Sequence, residues 1–123
     1  MIKGALSDLA KAISEKSREI FEIIMPPVDI YEEGNNLIVI ADLAGFNKEE
    51  IKLSLEENVL TIAAERKEKE GIDYLWKQRP LKIKKRILLP ESVDTEKGAT
   101  AKYENGVLTI TLTLKEKTQI QIQ

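Results

Sequence analysis

The first 25 residues place apolar side chains at the spacing of an amphipathic helix. Apolar positions recur near i, i+3 and i+7, and charged side chains lie on the opposite face. The apolar positions are Leu6, Leu9, Ile13, Ile20, Phe21 and Ile24. The proline pair at residues 26–27 ends the pattern, because proline disfavours helix in the residue before it. We therefore predict a helix over residues 1–25.

Two interpretations of this helix are open. In the first, the helix packs on its own domain. In the second, it is an amphipathic arm, and its six apolar side chains pack on partners. The strands that follow contain enough apolar residues to form a core without the helix, and this favours the arm.

Beyond the prolines the apolar pattern changes to period two, which is typical of β-strands. The predicted strands cover residues 28–31, 37–41, 51–55, 59–64, 81–89, 99–103 and 107–114. Residues 37–41 are apolar throughout, which indicates a central buried strand. Glu57-Asn58 and Asn105-Gly106 are turn sequences and predict two hairpins. About eight short strands, with turn signals about every 8–12 residues, predict an all-β sandwich or barrel.

Residues 71–80 hold an apolar cluster inside a long polar connection. The cluster consists of Ile72, Tyr74, Leu75 and Trp76. Large apolar side chains in a long connection are unusual, and they indicate a contact surface. The alternative, that the cluster packs back on its own sheet, is equally open.

The C-terminal tail carries two isoleucines, Ile120 and Ile122, on an otherwise polar segment. In an extended chain these two side chains point to the same face. Leaving them in water forfeits about 1.5–3 kcal/mol each relative to burial. The tail is therefore predicted to dock on another copy of the chain.

The charge balance argues against several classes of partner. The 19 basic and 21 acidic residues give a net charge of −2, without the basic surplus expected for nucleic-acid binding or a polybasic membrane contact. No apolar run approaches the about 20 residues of a membrane span, so stable membrane insertion is not expected. The absence of cysteine excludes disulfides, and a cytoplasmic location is the simple expectation.

The residue types also argue against catalysis. The chain has no histidine, no phosphate-binding loop and no calcium-loop spacing. Asp29 and Asp42 could in principle form a carboxylate pair, but both lie at predicted strand ends. We therefore expect no enzyme activity, no metal site and no cofactor.

Three motifs together resemble the small heat-shock proteins, the α-crystallin-domain family, and in particular an archaeal-type member. Residues 42–46 (DLAGF) resemble the family's D-L-P-G-(F/V) turn, with Ala44 in place of the usual proline. Residues 101–110 (AKYENGVLTI) match its A-x-x-x-N-G-V-L-T-I signature, and residues 120–122 (IQI) match its C-terminal I-x-I tail. Weaker matches follow in the family's order at residues 27–31, 60–66 and 89–94.

The resemblance implies a fold and an activity. The fold is an all-β, immunoglobulin-like β-sandwich (the α-crystallin domain) at residues 26–114, with an N-terminal amphipathic helical arm at 1–25 and an extended tail at 115–123. The activity is that of an ATP-independent holdase, a chaperone that keeps unfolding proteins from aggregating. Its partners are non-native client proteins and further copies of the chain, first as a dimer and then as a higher homo-oligomer.

The resemblance also implies roles for the apolar segments. The loop at residues 71–80 pairs with the partner's sheet, and Ile120 and Ile122 fill an apolar groove on a neighbour. By strand alternation we place that groove along Leu53, Leu55, Ala99 and Ala101. The apolar side chains of the helix supply client contacts and inner-shell packing.

One alternative comes from a different functional class. A binding module of the CS-domain cochaperone kind has a similar sandwich and does not self-assemble. Such a module lacks an I-x-I tail and an amphipathic arm, so a sizing column separates the two hypotheses.

Overall fold

The computed structural model describes residues 2–118 and 120–123. It begins with one helix, α1, at Ile2–Ile24, which stops just before Met25 and the two prolines. Seven strands follow in the described residues, where about eight were predicted. They are β1 Val28–Glu33, β2 Asn36–Asp42, β3 Ile51–Glu56, β4 Val59–Glu65, β5 Lys82–Leu88, β6 Ala99–Glu104 and β7 Val107–Thr113.

The strands form two antiparallel sheets, in the order β1-β2-β7-β6 and β3-β4-β5. The predicted sandwich is thereby confirmed, and the barrel alternative is not. The prediction that residues 37–41 form a central buried strand is also confirmed, because β2 lies between β1 and β7 and is mostly buried. The seven strands correspond to the seven predicted ranges, and the residues between β4 and β5 contain no strand.

Both predicted hairpins are present. The β3–β4 turn has positive φ at Glu57 and Asn58, at 49° and 63°, and the β6–β7 turn has positive φ at Asn105 and Gly106, at 53° and 77°. Two successive residues in this region give a turn whose twist matches the flanking strands. A side chain at Gly106 would also place its Cβ 3.0 Å from the Cα of Ala44, so this turn requires glycine on two grounds.

The core lies between the two sheets. Alternate residues of β4 and β7 are buried, as the period-two pattern requires. The buried core residues are Leu37, Val39, Ala41, Leu43, Phe46, Leu60, Ile62, Ala64, Ile83, Leu89, Val93, Leu108, Ile110, Leu112 and Leu114. Among the residues whose burial is described, the core contains none from α1, and Met25, just beyond the end of the helix, packs at its margin.

Candidate functional site

Strands β3 and β6 form the edges of the two sheets on the same side of the sandwich. The contacts of Tyr103, on β6, show this, because its hydroxyl lies 2.6 Å from the carbonyl oxygen of Leu43 and 2.7 Å from that of Phe46. Those two residues belong to the turn that leads into β3. The amide of Leu43 also donates to the carbonyl of Gly106, at 2.7 Å, just after β6. The two edge strands are therefore fastened together at one end.

The four residues predicted to form the tail groove lie on these two edge strands. Leu53 and Leu55 pair across β3–β4 with the buried Ile62 and Leu60. Leu53 therefore belongs to the core-facing side of β3, yet 37% of its surface is exposed. Edge position explains this exposure, because no further strand covers that side of β3 in the described residues.

Strand β6 supplies the other side of the same strip. Ala99 and Ala101 pair with the buried Leu112 and Ile110, and both alanines are exposed. They share a strand face with Tyr103, which packs against the core. We call Leu53, Leu55, Ala99 and Ala101 the edge strip. The structure thus places the four predicted residues on facing edges of the sandwich, with small side chains on one side and leucines on the other.

Tyr103 is a site residue that the sequence analysis missed. Partial burial raises the pKa of its phenol, and the carboxylate of Glu50, just before β3, raises that pKa further. A neutral hydroxyl carries the one proton that the two turn carbonyls share, and an ionised phenolate would have none to donate. The sequence did contain a signal for Tyr103. It is the one aromatic residue on a strand face whose other positions, Ala99 and Ala101, are alanines.

The tail leaves the sandwich in a defined direction. Leu114 is buried, the amide of Lys115 donates to the carbonyl of Ser92 at 3.0 Å, and Glu116 lies 3.4 Å from the ammonium of Lys97. Beyond this point Ile120 and Ile122 are 89% and 98% exposed. The two isoleucines are therefore not docked on their own domain.

The connection between β4 and β5 is closed at its base by Arg66. The guanidinium donates to the carbonyls of Pro80 at 2.9 Å and Arg79 at 3.3 Å. Within the connection Ile72, Leu75 and Trp76 are exposed. Tyr74 is half-buried, with the Lys77 ammonium 5.1 Å from its ring centre. Three of the four cluster residues are thus not covered by the chain's own sheet.

Helix α1 docks on the domain through its polar face. Ser14 is only 1% exposed, and Arg18 and Glu22 lie on the same side one and two turns later. The apolar face points away from the domain, with Leu6, Leu9, Ile13, Ile20 and Ile24 between 47% and 61% exposed. Docking by a polar face is the opposite of what hydrophobic periodicity alone suggests.

Two residues of the helix differ from the predicted set. Phe21 was predicted as a partner contact, but it is half-buried because it lies on the docked side, seven residues after Ser14. Ile23 was not in the set, yet it is exposed three residues after Ile20. The apolar spacing contained this signal, since i and i+3 share a helix face.

A groove of about 980 Å³ lies elsewhere, between the end of α1 and the outer face of the β3-β4-β5 sheet. Eight of its twelve lining residues are charged, among them Glu19, Glu22, Lys52, Lys82 and Lys84. None of the four edge-strip residues lines it.

In the part of the chain that the structure describes, no three acidic side chains are grouped as metal ligands would be, and no helix has the length and apolar content to cross a bilayer.

Comparisons with known proteins give a consistent result. The profile of the Hsp20/alpha crystallin family matches residues 29–123. The 17.1 kDa class II heat shock protein of Pisum sativum is 38% identical over 91 residues, which cover 70% of this chain and 59% of that protein. The chain thus matches about three fifths of that relative's length.

Two solved structures extend the likeness to the fold. A point mutant of hsp14.1 from Sulfolobus solfatataricus P2 superposes with a TM-score of 0.79 at 45% identity, covering 99% of this chain and 97% of that one. A small heat-shock protein from Xylella fastidiosa, described as having a distinct high order structure, superposes with a TM-score of 0.64 at 31% identity, covering 81% of this chain and 95% of that one.

Proposed function

The chain belongs to the Hsp20/alpha crystallin family, and on that premise we propose that it is an ATP-independent chaperone. It binds unfolding proteins through apolar surface and keeps them from aggregating. It works as a homo-oligomer built from dimers. We divide it into an arm at residues 1–25, an α-crystallin domain at 26–114 and a tail at 115–123. The cytoplasmic location expected from the lack of cysteine stays a prediction.

One observation carries this proposal: the chain has a complete buried core and still exposes large apolar side chains in three separate segments. These segments are the outer face of α1, the connection between β4 and β5, and the tail. Exposed apolar surface of this extent marks interaction sites rather than a monomer's ordinary surface. No catalytic chemistry competes with this interpretation in the sequence.

The tail and the edge strip are complementary in kind. The edge strip is an apolar surface on unpaired sheet edges, and the tail presents two isoleucines on one face of an extended segment. We propose that the tail of one dimer lies along the edge strip of another. Burying both isoleucines contributes about 3–6 kcal/mol, and ordering each tail residue costs about 1–2 kcal/mol. One link is therefore weak and reversible, and a closed assembly holds many of them at once.

The dimer is proposed to form through the connection between β4 and β5. Strand β1 is the outer strand of its sheet and offers unpaired backbone groups. Residues 71–80 of the partner would pair there, which would cover Ile72, Leu75 and Trp76. The outer face of α1 supplies client contacts, because its apolar side chains remain free while the helix is docked.

A client-aggregation assay tests the proposed function. Light scattering from a heat-unfolding client is measured with increasing amounts of the purified chain, with and without ATP. We expect substoichiometric protein to suppress scattering equally in both conditions. Absence of suppression at every ratio, both at and above physiological temperature, would contradict the holdase proposal. Suppression that requires ATP would contradict the nucleotide-independent mechanism.

A further inference from the structure

The docked face of α1 is centred on Glu22. One carboxylate oxygen, Oε2, accepts the backbone N–H groups of Leu81 at 2.9 Å and Lys82 at 3.0 Å. The other oxygen, Oε1, accepts from Arg18 Nη1 at 3.1 Å. The side chains of Glu22 and Arg18 are only 12% and 16% exposed. A mostly buried carboxylate that accepts three donors makes this contact directional, and it fixes the helix at the start of β5.

The helix also contacts the middle of the same connection. The ammonium of Lys11 lies 3.6 Å from the carboxylate of Asp73. The residues that bind Glu22 directly follow Pro80, whose carbonyl is held by Arg66. The helix therefore touches the connection both at its centre and at the point where it re-enters the sheet.

We propose that Glu22 is a positioning residue for the exchanged loop, and that it couples the docking of α1 to the placement of residues 71–80. This inference rests on the proposed function, in which that loop pairs with a partner. Loss of the Glu22 carboxylate leaves the two amide donors and Nη1 of Arg18 without their acceptor, while Nη2 of Arg18 keeps its 3.3 Å contact with Glu15.

Coupling of this kind is reciprocal. A loop held by a partner favours the docked helix, and a loop released when the dimer opens favours an undocked one. Undocking uncovers Phe21, which is half-buried on the docked side. Dissociation of the assembly would thus increase the apolar surface of the arm at the moment when free protomers meet clients.

The test compares full-length Glu22→Ala with Glu19→Ala. Glu19 is the matched control, since it lies on the same helix and carries the same charge, and its ion pair is a solvent-exposed one with Lys16. Hydrogen–deuterium exchange is measured by mass spectrometry in the helix and in residues 66–82. Mixing of ¹⁵N-labelled and unlabelled protomers is followed by native mass spectrometry.

We expect Glu22→Ala to speed amide exchange about tenfold in both segments, and to speed protomer mixing by a similar factor. Glu19→Ala should match wild type. Glu22→Gln keeps an acceptor for the two amides and should recover part of the effect. Asp73→Asn, at an exposed contact that does not threaten the fold, should give a smaller change in the same direction in the helix amides.

Two results overturn the inference. One is faster exchange in the helix with residues 66–82 and protomer mixing unchanged. The other is a Glu22→Ala chain indistinguishable from Glu19→Ala. Deletion of residues 71–79 separates this inference from the proposed function. If the deleted chain stays dimeric, loop exchange itself is wrong. If it is monomeric while Glu22→Ala mixes at the wild-type rate, only the coupling is wrong.

Discussion

Replacing Tyr103 with phenylalanine tests how the edge strip is held in place. The ring keeps its packing against the core, and only the hydroxyl, 2.6 Å and 2.7 Å from the carbonyls of Leu43 and Phe46, is lost. Both of those residues are buried, so water does not easily replace the missing donor. A lost hydrogen bond costs about 1 kcal/mol, and a buried acceptor left unpaired costs about 1–3 kcal/mol. We therefore expect Tyr103→Phe to lower the free energy of unfolding by about 1–3 kcal/mol.

The matched control is Tyr31→Phe. Tyr31 is exposed on β1, and its hydroxyl makes no hydrogen bond in the described part of the structure. Thermal unfolding is followed by circular dichroism at one fixed protein concentration, because assembly makes apparent stability depend on concentration. For a chain of 123 residues the midpoint should fall about 4 °C for each kcal/mol lost.

The pH dependence of the stability difference between wild type and Tyr103→Phe gives an independent check. Partial burial, and secondarily Glu50, raise the pKa of Tyr103 in the folded state, whereas an unfolded tyrosine titrates near about 10. The stabilisation is therefore fully present below about pH 10 and is lost as the pH rises through the folded pKa. The gap between wild type and Tyr103→Phe should narrow above about pH 10. Equal midpoints for Tyr103→Phe and Tyr31→Phe at neutral pH would refute the reasoning.

Three further predictions follow from the same structure. Asn58→Ala removes two hydrogen bonds that the side-chain amide donates to the carbonyls of Leu89 and Glu91 and one that it accepts from the Val93 amide, and it should cost about 2–3 kcal/mol in denaturant unfolding. Ile13→Gln combined with Ile20→Gln should weaken client protection and leave thermal stability unchanged, since both side chains are exposed; a large loss of stability would show that they belong to the core. Emission from Trp76 should shift to the red when dimers dissociate, and it should not shift when only larger assemblies break.

Much of the sandwich could be predicted because its signals are local. The two hairpin turns depend on residues that tolerate positive φ, and β2 is marked by an unbroken apolar run between polar neighbours. Strand alternation also predicts that the edge-strip residues of each strand share one face, because successive side chains of a strand point to opposite sides. These features do not require knowledge of distant parts of the chain.

The docking of α1 could not be predicted in the same way. Hydrophobic periodicity assigned the polar side of the helix to solvent, whereas Ser14, Arg18 and Glu22 pack on the domain. The donors that bind Glu22 are backbone amides about sixty positions away, and no local sequence pattern predicts such a contact. Tyr103 was missed for a similar reason, because its partners are carbonyls of a turn that lies distant in sequence.

The most direct test of the account is the mass of the assembly when the tail isoleucines are truncated. Ile120→Ala together with Ile122→Ala removes most of the exposed apolar surface of the tail and does not touch the sandwich. Gln121→Ala, between them, is the matched control. By sedimentation velocity at micromolar concentration, the double variant should run as a dimer with an unchanged far-ultraviolet spectrum, and Gln121→Ala should keep the wild-type mass. A double variant that keeps the wild-type mass would contradict the claim that the tail joins dimers into the assembly.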